Sequence, residues 1–119
     1  MSRDIFVQDI PADITSVDQI PDDFQPRAFI VTRAGVIAAV RAEAPGAAVR
    51  NDGWMTIEAP GKYSVEVNIA QDQEELDGFA FHVRGDSDAD HLIARILGRL
   101  QLRAFDPAND SGLFEVPTE

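Results

Sequence analysis

The chain has 119 residues with 45% hydrophobic and 26% charged residues, the composition of one ordinary folded domain spanning 1–119. It has no cysteine, which removes disulfides, thiolate metal sites and cysteine nucleophiles together. The net charge of −11 repels polyanions, so nucleic acids and anionic membrane surfaces are disfavoured, while a basic protein partner stays open. No apolar run approaches the roughly 20 residues that span a bilayer. The opening Met1-Ser2-Arg3-Asp4 does not read as a secretory signal, so a cytoplasmic location is expected. Nine arginines against one lysine, with abundant Ala and Asp, fit a GC-rich bacterial coding bias.

Asp4 to Ile10 (DIFVQDI) reads as a strand that Pro11 stops. Residues 11–27 are rich in Pro and Asp and form a connection, in which Thr15 or Ser16 caps one helical turn ending at Ile20. Thr32 is the expected N-cap of a helix from Arg33 to about Glu43, with Val36, Ile37, Val40 and Ala44 as its buried stripe. Pro45-Gly46 ends it.

Trp54–Glu58 and Tyr63–Ile69 read as a hairpin. Tyr63, Val65, Val67 and Ile69 alternate with Ser64, Glu66 and Asn68. A two-residue loop would split the apolar face. A three-residue loop over Ala59–Gly61 keeps it whole and sets Ile57 opposite Tyr63 and Met55 opposite Val65. The acidic stretch 70–78 reads as a solvated loop. Its carboxylates lack the ligand spacing and central glycine of a calcium loop, and the two histidines sit on different elements, so no metal or other cofactor is expected.

Phe79–Arg84 is the next strand, with Phe79, Phe81 and Val83 inward and Ala80, His82 and Arg84 outward. Ser87 is the expected cap of a second helix, with Asp90 three residues on and a buried stripe of Leu92, Ile93, Ile96, Leu97 and Leu100. Leu102–Asp106 and Leu113–Val116 are the closing strands around a turn at 107–112. The element order β-α-β-β-β-α-β-β implies an α+β fold, a mainly antiparallel sheet with both helices packed on one face.

The stretches FVQDIP, IPDDF, WMTIEAPGKYSVEVNIA, FAFHVRG and LQLRAFDPANDSGLF resemble a family of small bacterial proteins of unknown function. In that family an Ile-Glu-x-Pro-Gly hairpin precedes a Phe-x-x-His-Val-Arg-Gly strand and a Leu-Arg-Ala-Phe-Asp segment. The resemblance covers most of the chain and attaches to no activity, so it assigns no catalytic residue.

The strand alternation puts Trp54, Glu66, Asn68, His82 and Arg84 on one polar face, with Glu66 opposite His82 and Ser64 opposite Arg84. A carboxylate beside an imidazole is a pairing used in acid–base chemistry. The same face serves equally as a solvated sheet surface with weak ion pairs. No nucleophile elbow or glycine-rich phosphate loop is present, so the sequence leans away from an enzyme. Three readings follow. The first is a small acidic module, of immunity or antitoxin type, that binds a basic protein. The second is a small-molecule enzyme or ligand binder with a polar pocket on the sheet face. The third is a structural homo-oligomer.

Overall fold

A computed structural model describes residues 2–10, 13–20, 31–69, 72–85 and 88–114. The elements are β1 (Ser2–Gln8), the short 3-10 turn Val17–Gln19, β2 (Val31–Thr32), α1 (Arg33–Glu43), β3 (Ala48–Val49), β4 (Met55–Ala59), β5 (Tyr63–Asn68), β6 (Glu75–Leu76), β7 (Phe79–Gly85), α2 (Asp88–Leu100) and β8 (Arg103–Phe105). Six strands form one sheet in the order β3-β4-β5-β7-β1-β8, every neighbouring pair antiparallel. β2 and β6 form a separate two-stranded ribbon. The fold is α+β, as the element order implies.

β1 lies between β7 and β8 and pairs antiparallel with both. β7 and β8 therefore run parallel to each other on either side of β1, and α2 makes the crossover between them. One alternation of side chains along the strands is apolar: Ile5, Val7, Met55, Ile57, Val65, Val67, Phe79, Phe81, Val83 and Ala104. These pack with Val36, Ala39 and Val40 of α1 and Ala89, Leu92, Ile93, Ile96 and Leu97 of α2 in one core. Both helices thus cover one face, and the alternate side chains of the strands project from the other.

The ends of α1 explain its bounds. The Thr32 hydroxyl accepts from Gly35 N–H at 3.0 Å, as its N-cap position requires. Glu74, beside β6, accepts from Ala34 N–H at 3.1 Å and adds negative charge at the positive helix start. At the other end Glu43 accepts from Arg95 Nε at 2.8 Å and Arg99 Nε at 2.5 Å, tying the two helices. The Arg99 hydrogen bond leads in holding the Glu43 carboxyl below its ordinary value, against opposing burial and with help from Arg95.

Several expectations need correction. The first strand begins at Ser2 and ends at Gln8, because its pairing with β7 extends to Arg84. The β4–β5 loop has three residues, but they are Pro60–Lys62: Ile57 faces Val65 and Met55 faces Val67. Pro60 at the second position and Gly61 at the third, with φ of 80° and Lys62 N–H bonded to Ala59 C=O at 2.9 Å, make a type II turn. The shift is by two positions along one partner, so the apolar side chains keep their face. In α1 the stripe includes Ala39, while Ile37 is half-buried and Ala44 is the C-cap. Ala80 alternates outward yet is buried. The strand over 79–84 continues through Gly85. The strand over 102–106 is only Arg103–Phe105, and Leu113 makes a single bridge to Phe105 in place of a strand start. Ser87 and residues 115 and 116 lie outside the described residues. Short strands β2, β3 and β6 have too few residues to show a periodic pattern. Among the described residues no helix is long and apolar enough to cross a membrane.

Candidate functional site

The side chains that leave the sheet away from the helices lie in cross-strand rows. One row runs Thr56, Glu66, His82, Asp4 over β4, β5, β7 and β1. The next contains Glu58, Ser64 and Arg84. On the other side, Asn68, Ala80, Phe6 and Phe105 line up over β5, β7, β1 and β8. Glu66 faces His82 and Ser64 faces Arg84, as expected if the two strands are neighbours in the sheet.

The centre of this face is built around Trp54. Its indole stacks on the His82 ring, with centroids 5.4 Å apart and planes 25° from parallel. The Arg50 guanidinium lies over the same indole, 5.4 Å from its centroid. On the far side of the stack, His82 Nδ1 is 2.7 Å from Asp4 Oδ1. Arg50 in turn donates through Nη1 to Glu66 and through Nη2 to Asp52. The result is a continuous chain of contacts from Asp52 and Glu66 through Arg50, Trp54 and His82 to Asp4.

A tight turn places Arg50 and Asp52. Gly53 N–H bonds to Arg50 C=O at 3.0 Å, and Arg50 N–H bonds to Trp54 C=O at 2.7 Å. Asn51, Asp52 and Gly53 form the three-residue hairpin loop between β3 and β4, with Gly53 at φ of 86° in the left-handed position such a loop requires. Asp52 Oδ1 accepts from Trp54 N–H at 3.0 Å, which fixes its carboxylate beside Arg50. Arg33, the first residue of α1, donates to Gly53 C=O at 2.8 Å and ties the loop to the helix layer.

The electrostatics follow from these contacts. Hydrogen bonding to Asp52 raises the Arg50 guanidinium above its ordinary value; burial opposes this and Glu66 adds to it. Asp52 is held below the ordinary carboxylate range: burial works against ionisation, but the Trp54 N–H and the Arg50 guanidinium outweigh it. Arg50 is therefore a permanent cation between two carboxylates and an aromatic face.

The structure brings Trp54, His82 and Glu66 into this cluster. Asn68 and Arg84 share the face but stand in flanking rows. Asn68 lines a groove of about 480 Å³ together with Phe6, Gln8, Asp77 and Ala80. Glu66, His82 and Arg84 line neither this groove nor the one bounded by Arg50, Asn51 and Asp52 beside Glu66. Asp4, Arg50 and Asp52 are the cluster members that the sequence analysis missed. The signal for Arg50 was present: Asn51-Asp52-Gly53 is a three-residue loop signature, and such a loop sets Arg50 across from Trp54. The pairing of β1 with β7, which brings Asp4 to His82, spans 78 residues and leaves no local trace.

Chemically, the Asp4–His82 pair orients an imidazole. No hydroxyl nucleophile joins that pair among the described contacts, and no three His, Asp or Glu side chains among the described residues are placed to hold a metal ion. The arrangement has an aromatic pair at its centre and carboxylates around it, with Phe6 40% exposed at one side. No family model matches the chain, and no curated protein or solved structure matches it.

Proposed function

We propose that the protein is a small acidic binding module, of immunity or antitoxin type, that docks a basic protein on the face of the sheet opposite the helices. The observation that carries this reading is the Arg50–Trp54–His82–Asp4 stack on the sheet face opposite the helices. Binding surfaces concentrate their affinity in aromatic and arginine side chains ringed by polar groups, and this face has that composition. The distribution of charge supports a basic partner. Arg3, Arg50, Arg95 and Arg99 are each bonded to carboxylates of the same chain. The exposed Asp72, Glu75 and Asp77 have no ion pair among the described residues, and Asp77 lines the groove beside Phe6. These side chains, Asp77 nearest the sheet face among them, add to a net charge of −11 that favours a basic partner.

Affinity capture from native bacterial lysate tests the proposal, with wild type compared against the double variant His82→Ala/Glu66→Arg. A basic protein retained by wild type at low salt, released as ionic strength rises and lost with the variant, is the expected result. Retention of the same proteins by both chains, or of none at any ionic strength, contradicts it.

The 2.7 Å contact between Asp4 and His82 supports a second reading, a ligand binder or enzyme that uses the oriented imidazole. That reading predicts loss of ligand binding in His82→Ala with the fold intact. It is the weaker of the two, because a small ligand needs enclosure and Glu66, His82 and Arg84 line neither of those two grooves.

A further inference from the structure

Arg50 is bound as a ligand would be. Its guanidinium rests on the Trp54 ring and forks between carboxylates from two different elements, Asp52 of the hairpin loop and Glu66 of β5. A planar cation with a rigid set of donors, stacked on an aromatic face and bonded edge-on to carboxylates, is the geometry in which arginine is recognised; an ammonium matches neither the face nor the fork. The receptor half of this arrangement has contacts of its own besides those to the Arg50 guanidinium. Trp54 is held by its stack on His82, Asp52 by the Trp54 N–H, and Glu66 by its place in the central strand β5.

The occupant is attached to the edge of the sheet. Arg50 follows β3, an edge strand of two residues with two register pairs to β4, and both of its residues are exposed. Its guanidinium side chain is 37% exposed. Short edge strands with few buried contacts open at low free-energy cost, without unfolding the sheet beside them.

We infer that Trp54, Glu66 and Asp52 form a guanidinium receptor that Arg50 occupies in the free protein, and from which an arginine of the basic partner displaces it. The displacement rests on the docking function proposed above; the receptor itself does not. It deepens that reading by specifying arginine, and not lysine, as the side chain read by this face. It also gives Arg50 a role as tethered competitor: weakly basic surfaces fail to displace it, while an arginine delivered alongside other contacts succeeds.

Trp54 is the single tryptophan of the chain, so its emission reports on the receptor alone. The test titrates Arg50→Ala and wild type with N-acetyl-arginine methylamide, and with N-acetyl-lysine methylamide at matched ionic strength. In Arg50→Ala the arginine compound is expected to change Trp54 emission saturably and raise Tm, with half-saturation at a concentration at least about tenfold below that for wild type, since no tethered side chain competes. The lysine compound is expected to give no saturable change, and Glu66→Gln added to Arg50→Ala is expected to remove the response. Equal responses to both compounds, or a response in Arg50→Ala no stronger than in wild type, overturns the receptor. Should Arg50→Ala fold poorly by circular dichroism, Arg50→Gln, which keeps the length of the side chain without its charge or fork, is read in its place with the same expectation. A saturable response without any basic partner recovered from lysate retains the receptor and removes docking. Recovery of a partner with no response in either variant does the reverse.

Discussion

Phe81 and His82 are neighbours on β7 that point to opposite faces, and replacing each by alanine separates folding from recognition. Phe81 is fully buried between the sheet and the helices. Its truncation removes a large apolar side chain and leaves a cavity, a loss of about 3–5 kcal/mol. His82 retains 26% of its side-chain exposure and makes two specific contacts, the Trp54 stack and the Asp4 hydrogen bond. Exposed pairs of this type are worth about 1 kcal/mol together, because water replaces much of what is lost. With an m-value of roughly 2 kcal/mol per molar urea for a domain of this size, His82→Ala should lower the midpoint by about 0.5 M, and Phe81→Ala by about 1.5–2.5 M. Urea titrations followed by far-UV circular dichroism measure both. A midpoint loss for His82→Ala as large as for Phe81→Ala would show His82 to be part of the core, and the recognition face would not exist.

Other expectations follow from single contacts. Thr32→Ala removes the N-cap of α1 and should cost about 1 kcal/mol in the same urea titration, toward the low end because Glu74 also serves that terminus. Glu43 has its native pKa lowered below 4.5, chiefly by Arg99, so its contribution to stability is full above that ordinary value and disappears as pH falls through the lowered native one. The Tm difference between wild type and Glu43→Gln, measured by calorimetry, should therefore be present at pH 7 and close under strongly acidic conditions; a gap that persists or widens on acidification contradicts the assignment. The proposed docking of a different protein also predicts a 13.0 kDa particle by light scattering, and a dimer would mark the face as a self-interface.

The parts of the fold that could be read in the sequence are those whose determinants are local. Thr32, the helical spacing of Val36 and Val40 and the stop at Pro45-Gly46 define α1 from Arg33 to about Glu43. The alternation in 63–69 and 79–84 defines two strands and the face each side chain takes; the Glu66–His82 register follows only once β5 and β7 are set side by side, since alternation allows any shift by two. The β4–β5 loop was displaced by one residue because Ala59 suits a strand end as well as a turn, while the Pro60-Gly61 dipeptide fits the middle of a type II turn. Insertion of β1 between β7 and β8 is decided by burial of Ile5 and Val7 against both helices, which no window of sequence contains. The candidate site divides in the same way. Trp54, Glu66 and His82 follow from alternation. Asp4 follows from that long-range insertion. Arg50 and Asp52 follow from turn chemistry at Asn51-Asp52-Gly53, beside a strand too short to be seen as one.

The most direct test of docking on the sheet face is an NMR titration of the isotope-labelled protein with the basic partner recovered from lysate. The account predicts that amide shifts change at Arg50–Trp54, along 64–68 and along 80–84, with the exposed sides of α1 and α2 unaffected. Shifts confined to the helices, with the Trp54 indole resonance unmoved, would contradict it.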